Sequence, residues 1–252
     1  MEKSRLIEEY SFQKLYKTMS KTKRLEDSMV KYTQLLTVPV KECDEPLVNI
    51  VNIPSGYLPK MQDMRLVSGD DIFVRKSVLD HLCSAQQKLQ DTNSRLSLHI
   101  TYGYRTLQIQ TERFLDRLTV VGKKYYPNPT DLYEAVHRSV AVPSVSGHPT
   151  GGAVDVFIVN KNTRRQLDFG SPIYNYSTHR YYVFSNETTK AQRKNRMLLR
   201  KVMMGASFAP FDGEWWHFSY GDREWAFYYK KPYAIYDQIS YPFSTSQNPF
   251  PS

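Results

Sequence analysis

The chain has 252 residues, 40% hydrophobic and 23% charged, the balance of a soluble globular protein long enough for one large domain or two small ones. Its 34 Lys and Arg outnumber 25 Asp and Glu, for a net charge of +9. Aromatic residues do not interleave the basic cluster between His179 and Lys201 in a nucleic-acid-binding pattern, so that cluster is expected to be a solvated helix face and no nucleic-acid partner is expected. Cys43 and Cys83 form neither a disulfide framework nor a C-x-x-C motif, so any metal would have to be held by histidine and carboxylate.

No apolar run approaches the length of a membrane span, and "MEKSRLIEEYSFQKLYKTMS" has no apolar core of a signal peptide. The expected location is cytoplasmic, or periplasmic or exported if a leader precedes the sequence. Residues 1–45 carry nine Lys or Arg and eight Asp or Glu, with Tyr10 and Leu15 among weakly helical apolar positions. They read as a helical N-terminal extension closed by Pro39 and "KECDEP".

Val78, Leu82, Ala85 and Leu89 then fall at helical spacing, and "DTNS" ends the run. "LSLHITY" alternates Leu96, Leu98, Ile100 and Tyr102 with Ser97, His99 and Thr101, the pattern of a half-buried strand broken by Gly103. A second helix starts near Thr106, with Leu107, Thr111, Phe114, Leu118 and Val121 on one face. "YYPNPT" and "SGHPTGG" are loops, and "AVDVFIV" is an apolar strand. After a Tyr-rich irregular stretch, a helix is predicted from about Thr188 to Met204 with Gly205 as its stop. "EWWHFSY" and "WAFYY" read as strands. Short turns and period-2 patterns predict an α+β fold, one compact domain whose central antiparallel sheet is flanked by helices.

Three segments carry candidate chemistry. In "SGHPTGGAVDV", Asp155 sits inside an apolar strand, where a carboxylate is costly unless paired or metal-bound. Gly151 and Gly152 allow the bend that would bring His148 back over it. In "DGEWWHFSY", Glu214 and His217 lie among bulky aromatics; on a regular strand they would face opposite ways, but the Asp212-Gly213 turn leaves Glu214 at the strand entrance, free to be aimed. In "TYGYRT", Arg105 follows a strand and a glycine kink, a surface cation or an oxyanion stabiliser. Two histidines and an aspartate leave one position of a zinc site open to water, and a free carboxylate with a cation would complete a kit for metal-assisted amide hydrolysis. His81, His99, His137 and His179 are expected to be structural or surface residues.

"SGHPTGGAVDV" resembles the Ser-x-His-x-x-Gly-x-Ala-x-Asp signature of the zinc D-Ala-D-Ala dipeptidases and the related D,D-carboxypeptidases. "GEWWHFSYGD", "GYRT" and "NRMLLRKVMMGASF" resemble further stretches of that family, in order from about Glu45 to Ile239. The resemblance implies a fold like that of the D,D-peptidases and hedgehog signalling domains. It implies one Zn2+ per chain held by His148, Asp155 and His217, with Glu214 as general base toward the hydrolytic water and Arg105 stabilising the oxyanion. Ser146 would lie on the substrate-binding wall.

"LDFGSPIYNYS" resembles a family stretch whose last Asp grips the ammonium of a dipeptide, and here that place is Tyr174. A phenol carries no such charge, which argues for a longer peptide stem over a strict preference for the free dipeptide. The implied ligand is a small D-amino-acid peptide or muropeptide, and the implied activity is hydrolysis of D-Ala-D-Ala or a related peptidoglycan-derived peptide. A D,D-carboxypeptidase on longer muropeptides is the alternative of the same class, and a non-catalytic, zinc-containing hedgehog-like binding module is the alternative of another. The domain expectation is a 1–45 extension, a 46–240 catalytic domain and a 241–252 tail.

Overall fold

The computed structural model of the chain describes residues 21–59 and 61–241. The remainder of the predicted extension, 1–20 with Tyr10 and Leu15, and the tail from 242 lie outside the described residues. Within them the chain forms α1 (21–28), α2 (Tyr32–Leu36), β1 (Leu47–Asn49), α3 (Arg65–Ser68), β2 (Phe73–Arg75), α4 (Lys76–Thr92), β3 (Leu96–Tyr102), α5 (Leu107–Val121) and α6 (Pro129–His137). It continues with β4 (Ala153–Asn160), β5 (Arg165–Gln166), α7 (Lys190–Gly205), β6 (Ala209–Pro210), β7 (His217–Ser219) and α8 (Arg223–Tyr228). The main sheet runs β3-β4-β7-β6 with β5 added to β4, and all its pairings are antiparallel. The α+β expectation is met.

Side-chain alternation assigns the two faces of this sheet. Leu98, Ile100, Val154, Val156, Ile158 and Phe218 form one core with Val78, Leu82, Ala85 and Leu89 of α4 and Leu199, Val202 and Met203 of α7. The helical spacing of α4 read from the sequence is the face that is buried. The opposite face carries Asp155 and His217, which stand directly across from each other in the β4–β7 register. A β-bulge shifts the β3–β4 register between Ile100 and Tyr102, so that Tyr102, and not Thr101, pairs with Asp155.

Several expectations are corrected. Strand β3 is buried on both faces apart from His99, because residues 55–56 bridge to Ile100 and Tyr174 covers Thr101. "WAFYY" is not a strand: Asp222 caps Trp225 N–H at 2.9 Å and starts the helix α8. Only the last three residues of the run up to Ser219 pair as β7, and Glu214 sits in the turn before it. The "NPT" of the predicted loop begins α6, with Asn128 capping Asp131 N–H and Pro129 in the first turn. The basic segment is solvated only in part. Lys190, Arg193, Lys194 and Lys201 are exposed, whereas Arg196 is buried and donates to the carbonyls of Phe169, Arg180 and Tyr182.

Residues 21–45 lie against the rest of the chain. Met29 joins the main core, Leu35 packs with Phe114 and Val136, and Glu26 accepts a hydrogen bond from Tyr182. His99 stacks on Phe157 at 4.8 Å, His81 tilts against Tyr220 at 4.1 Å, and His179 is half exposed near Glu26. Among the described residues, no helix is long and apolar enough to cross a membrane.

Candidate active site

A cavity of about 420 Å³ opens on the sheet face that carries Asp155 and His217, and all seven residues singled out in the sequence line it: Arg105, Ser146, His148, Asp155, Tyr174, Glu214 and His217. They come from five separate segments, and the topology brings them together.

Asp155 projects from the centre of β4 and is 1% exposed. His217, first residue of β7, places Nδ1 3.1 Å from Asp155 Oδ1. His148 sits in a single 3-10 turn that ends at Gly151 with φ +74°, a left-handed conformation suited to glycine. That turn folds the imidazole back so that Nε2 lies 3.4 Å from Asp155 Oδ2, while Nδ1 is 2.8 Å from the Gly103 carbonyl. The carbonyl accepts from Nδ1–H, which leaves Nε2 with a lone pair facing the carboxylate. One ligand atom from each of His148, Asp155 and His217 falls within 4.8 Å of the others, the spacing of a candidate three-residue metal site.

Electrostatics distinguish the two imidazoles. Burial, reinforced by Arg105, pulls His148 down to about 4 and keeps it neutral. Burial also opposes charge on His217, but the hydrogen bond to Asp155 and the charge of Glu224 outweigh it and push this group up to about 9. Against the burial penalty, His148 and His217 hold the Asp155 carboxyl well below the usual carboxylate range. One neutral imidazole, one imidazole that holds its proton against Asp155, and one buried carboxylate surround a single point, where a bound cation would take the place of the His217 proton.

Glu214 lies in the turn before β7, with Oε2 4.0 Å from His217 Nδ1. Its other oxygen accepts a hydrogen bond from Tyr176 at 2.6 Å. Burial pushes its carboxyl up to about 7, the range in which a carboxylate exchanges protons near neutrality. The flanking aromatics fix the turn: Trp215 stacks on Phe169 at 4.1 Å and donates to Ser171, and Trp216 is fully buried. The strand alternation that would separate Glu214 from His217 does not apply, because the turn aims both side chains into the cavity.

Arg105 is 5% exposed, its guanidinium 4.4 Å from the Tyr102 ring centre and donating to Gln110 Oε1 at 2.6 Å. Its buried Nε has no hydrogen-bond partner among the described residues. Ser146 is buried at the cavity wall beside His148. Tyr174 donates to Asp155 Oδ2 at 2.8 Å and lies within 3.4 Å of Thr101 Oγ1.

Sequence reading missed three contributors. Glu224 sets Oε2 3.8 Å from His217 Nε2, and its Oε1 is buried without a partner. Burial pushes that carboxyl up to about 8. The Asp-x-Glu start of α8 carried this signal but was hidden in an apparent strand. Tyr176 is the second, one turn position beyond Tyr174 in a segment without regular pattern. His137 is the third. It lines the cavity while burial holds it neutral at about 3, and its Nδ1 accepts from Val142 N–H, so it is structural as expected but not remote.

A peptidase M15 family model, described as D-ala-D-ala dipeptidase, matches residues 62–239. A D-alanyl-D-alanine dipeptidase of Synechocystis sp. is 27% identical over 234 residues, covering 82% of this chain and 94% of that protein. A D-alanyl-D-alanine dipeptidase of Enterococcus faecalis is 30% identical over 108 residues, covering 43% of this chain and 51% of that protein. Among solved structures, the LdcB LD-carboxypeptidase is similar with a TM-score of 0.43 and 18% identity, covering 76% of this chain and 79% of that one. VanYB in complex with D-Alanine-D-Alanine is similar with a TM-score of 0.40 and 16% identity, covering 80% of this chain and 95% of that one.

Proposed function

The chain belongs to the M15 peptidase family of D-ala-D-ala dipeptidases and is a hydrolytic metallopeptidase; from that premise we propose that it cleaves the D-Ala-D-Ala bond, free or within a related peptidoglycan-derived peptide, with one Zn2+ per chain. The observation that carries the reading is the set of three buried ligand atoms from His148, Asp155 and His217, within 4.8 Å of one another, beside the Glu214 carboxylate. Two imidazoles and one carboxylate match the donor preference of zinc and leave a coordination position open. When bound, the metal would supply a Lewis acid for the scissile carbonyl and for water.

The protein's own groups do the rest. Glu214, with Tyr176 holding Oε1, takes a proton from the attacking water and passes it to the leaving amine. Arg105, whose Nε has no hydrogen-bond partner among the described residues, offers a fixed positive charge to the developing oxyanion. Ser146 and Tyr174 form the wall against which the peptide lies. The aromatic turn around Trp215 and Trp216 excludes bulk water from the carboxylate. We place the catalytic unit at residues 46–240, with the described part of the N-terminal segment docked on it.

A D,D-carboxypeptidase acting on longer peptides is the second reading, favoured by one observation: Tyr174 is committed to Asp155 and presents no charge for a free ammonium. The non-catalytic binding module is overturned by membership of a hydrolytic family. The test is release of D-alanine from D-Ala-D-Ala and from an N-blocked version, alongside metal analysis of the wild type, His148→Ala and His217→Ala. The expected result is about one zinc per wild-type chain, lost in both variants together with hydrolysis. Stoichiometric zinc in both variants would refute the ligand assignment.

A further inference from the structure

The catalytic cavity does not end at Tyr176. Arg117, Val120 and Tyr176 line it and also line a second cavity of about 520 Å³, to which Lys124 and Tyr126 are added. The two spaces therefore share a wall on the outer side of α5.

Cations near the catalytic site are mostly neutralised or tethered. Arg113 pairs with Asp63 at 2.5 Å, and Arg105 is held by Gln110. Arg117 differs: Nε donates to Ser139 Oγ at 2.8 Å, and its guanidinium lies 5.2 Å from the Tyr176 ring centre. Among the described residues it forms no ion pair within the 4.0 Å that defines one. The stack and the Ser139 bond fix the plane of the fork, leaving its Nη side for an incoming group. Among the described residues that line the second cavity none is acidic, and Arg117 and Lys124 bring two positive charges to it, flanked by Tyr126 and Tyr176. A planar, pre-oriented guanidinium backed by an ammonium matches a carboxylate.

We propose that this second cavity is a subsite for a carboxylate carried by the substrate away from the scissile bond, with Arg117 as its anchor and Lys124 as a second cation. The inference rests on the D,D-peptidase reading of the neighbouring site and names its substrate class: an acidic peptide longer than the free dipeptide. Free D-Ala-D-Ala has only the C-terminal carboxylate of its leaving residue and no second one, on the amino-terminal side of the scissile bond, to place there.

The test compares N-succinyl-D-Ala-D-Ala, which carries an extra carboxylate, with neutral-capped N-acetyl-D-Ala-D-Ala on the full-length zinc-loaded chain. The wild type should favour the succinyl peptide in kcat/KM by about tenfold. Arg117→Ala and Lys124→Ala should each pull that ratio toward one, and Arg117→Lys should keep part of it. A ratio near one in the wild type, or an unchanged ratio in Arg117→Ala, overturns the proposal. A second arm does not depend on turnover: calorimetric binding of N-succinyl-D-alanine and N-acetyl-D-alanine to the metal-free full chain. Tighter binding of the succinyl compound, lost in Arg117→Ala, supports the subsite; equal binding overturns it. If neither derivative nor free D-Ala-D-Ala is cleaved, that failure falls on the D,D-peptidase reading, and the binding arm still decides the subsite; cleavage of the free dipeptide alone overturns the assignment of a longer acidic substrate.

Discussion

Tyr174 donates its phenolic hydrogen to Asp155 Oδ2 across 2.8 Å, so a residue expected on the substrate wall is bonded to a candidate metal ligand. Asp155 is buried and Tyr174 half-buried, and Asp155 is also approached by His148 and His217. A donor on the second oxygen of a ligating carboxylate fixes which lone pair faces the metal. Tyr174→Phe removes that donor while keeping the ring against Trp216. It should weaken zinc binding by roughly tenfold, read by competition with a chelator of known affinity. Unchanged affinity with only a raised KM would assign Tyr174 to the substrate wall alone.

Glu214→Gln keeps the size of the side chain and can still meet Tyr176, but it cannot accept a proton. Zinc content should stay at the wild-type level while kcat falls by about 10³-fold. Because burial pushes the carboxyl up to about 7, and a bound cation nearby would draw it down, the acid limb of wild-type kcat/KM should lie at or below about pH 7. Activity should fall as pH drops through it. A variant with full turnover would show that another group acts as the base.

Glu224 approaches the far nitrogen of His217 at 3.8 Å and belongs to a helix whose start depends on Asp222, not on itself. Glu224→Gln should therefore leave α8 intact and loosen the orientation of the His217 ring. The expected effect is a fall of roughly tenfold in zinc affinity, with circular dichroism unchanged. Wild-type affinity in this variant would mean that the β7 backbone alone aims the ring.

Much of the site was legible because its residues contradict their surroundings. Asp155 is an acid in an apolar strand, and Glu214 and His217 are polar groups among tryptophans, so expected burial made them candidates, while their separate roles rested on the family resemblance. Arg105 was legible only as a cation after a kink, and its tether to Gln110 depends on the helix that follows. Glu224 was hidden because Trp225, Ala226 and Phe227 make a short apolar run, and a six-residue helix is too brief to display a period. The double burial of β3 was also hidden: Ser97 and Thr101 are covered by segments distant in sequence, and alternation reports polarity, not what lands on top. The bulge at Thr101, which sets Tyr102 across from Asp155, leaves no trace in "LSLHITY".

The metal-free protein should be coupled to pH in a direction that these shifts fix. His217 is raised to about 9, so the stability it contributes is fully present below its unfolded value of roughly 6.5 and is lost as pH rises through 9. Glu214 at about 7 and Glu224 at about 8 act in the same sense, since burial raises each above an unfolded value of roughly 4.5, and their contribution is lost as pH rises through the folded values. His148, lowered to about 4, acts oppositely and costs stability as pH falls below roughly 6.5. With His137, lowered to about 3, acting like His148, the two imidazoles offset the two carboxyls between roughly pH 4.5 and 6.5, so chelator-treated protein should melt at its highest temperature in that range and lose stability as pH rises from 6.5 to 9. Zinc must displace the His217 proton to reach Nδ1, so binding at pH 7.5 should release at least about one proton per site, and fewer at pH 9.5. Calorimetric titrations in buffers of different ionisation enthalpy count these protons. A count independent of pH would mean that His217 is already neutral in the metal-free protein, and that Asp155 and Glu224 do not hold its proton as their distances imply.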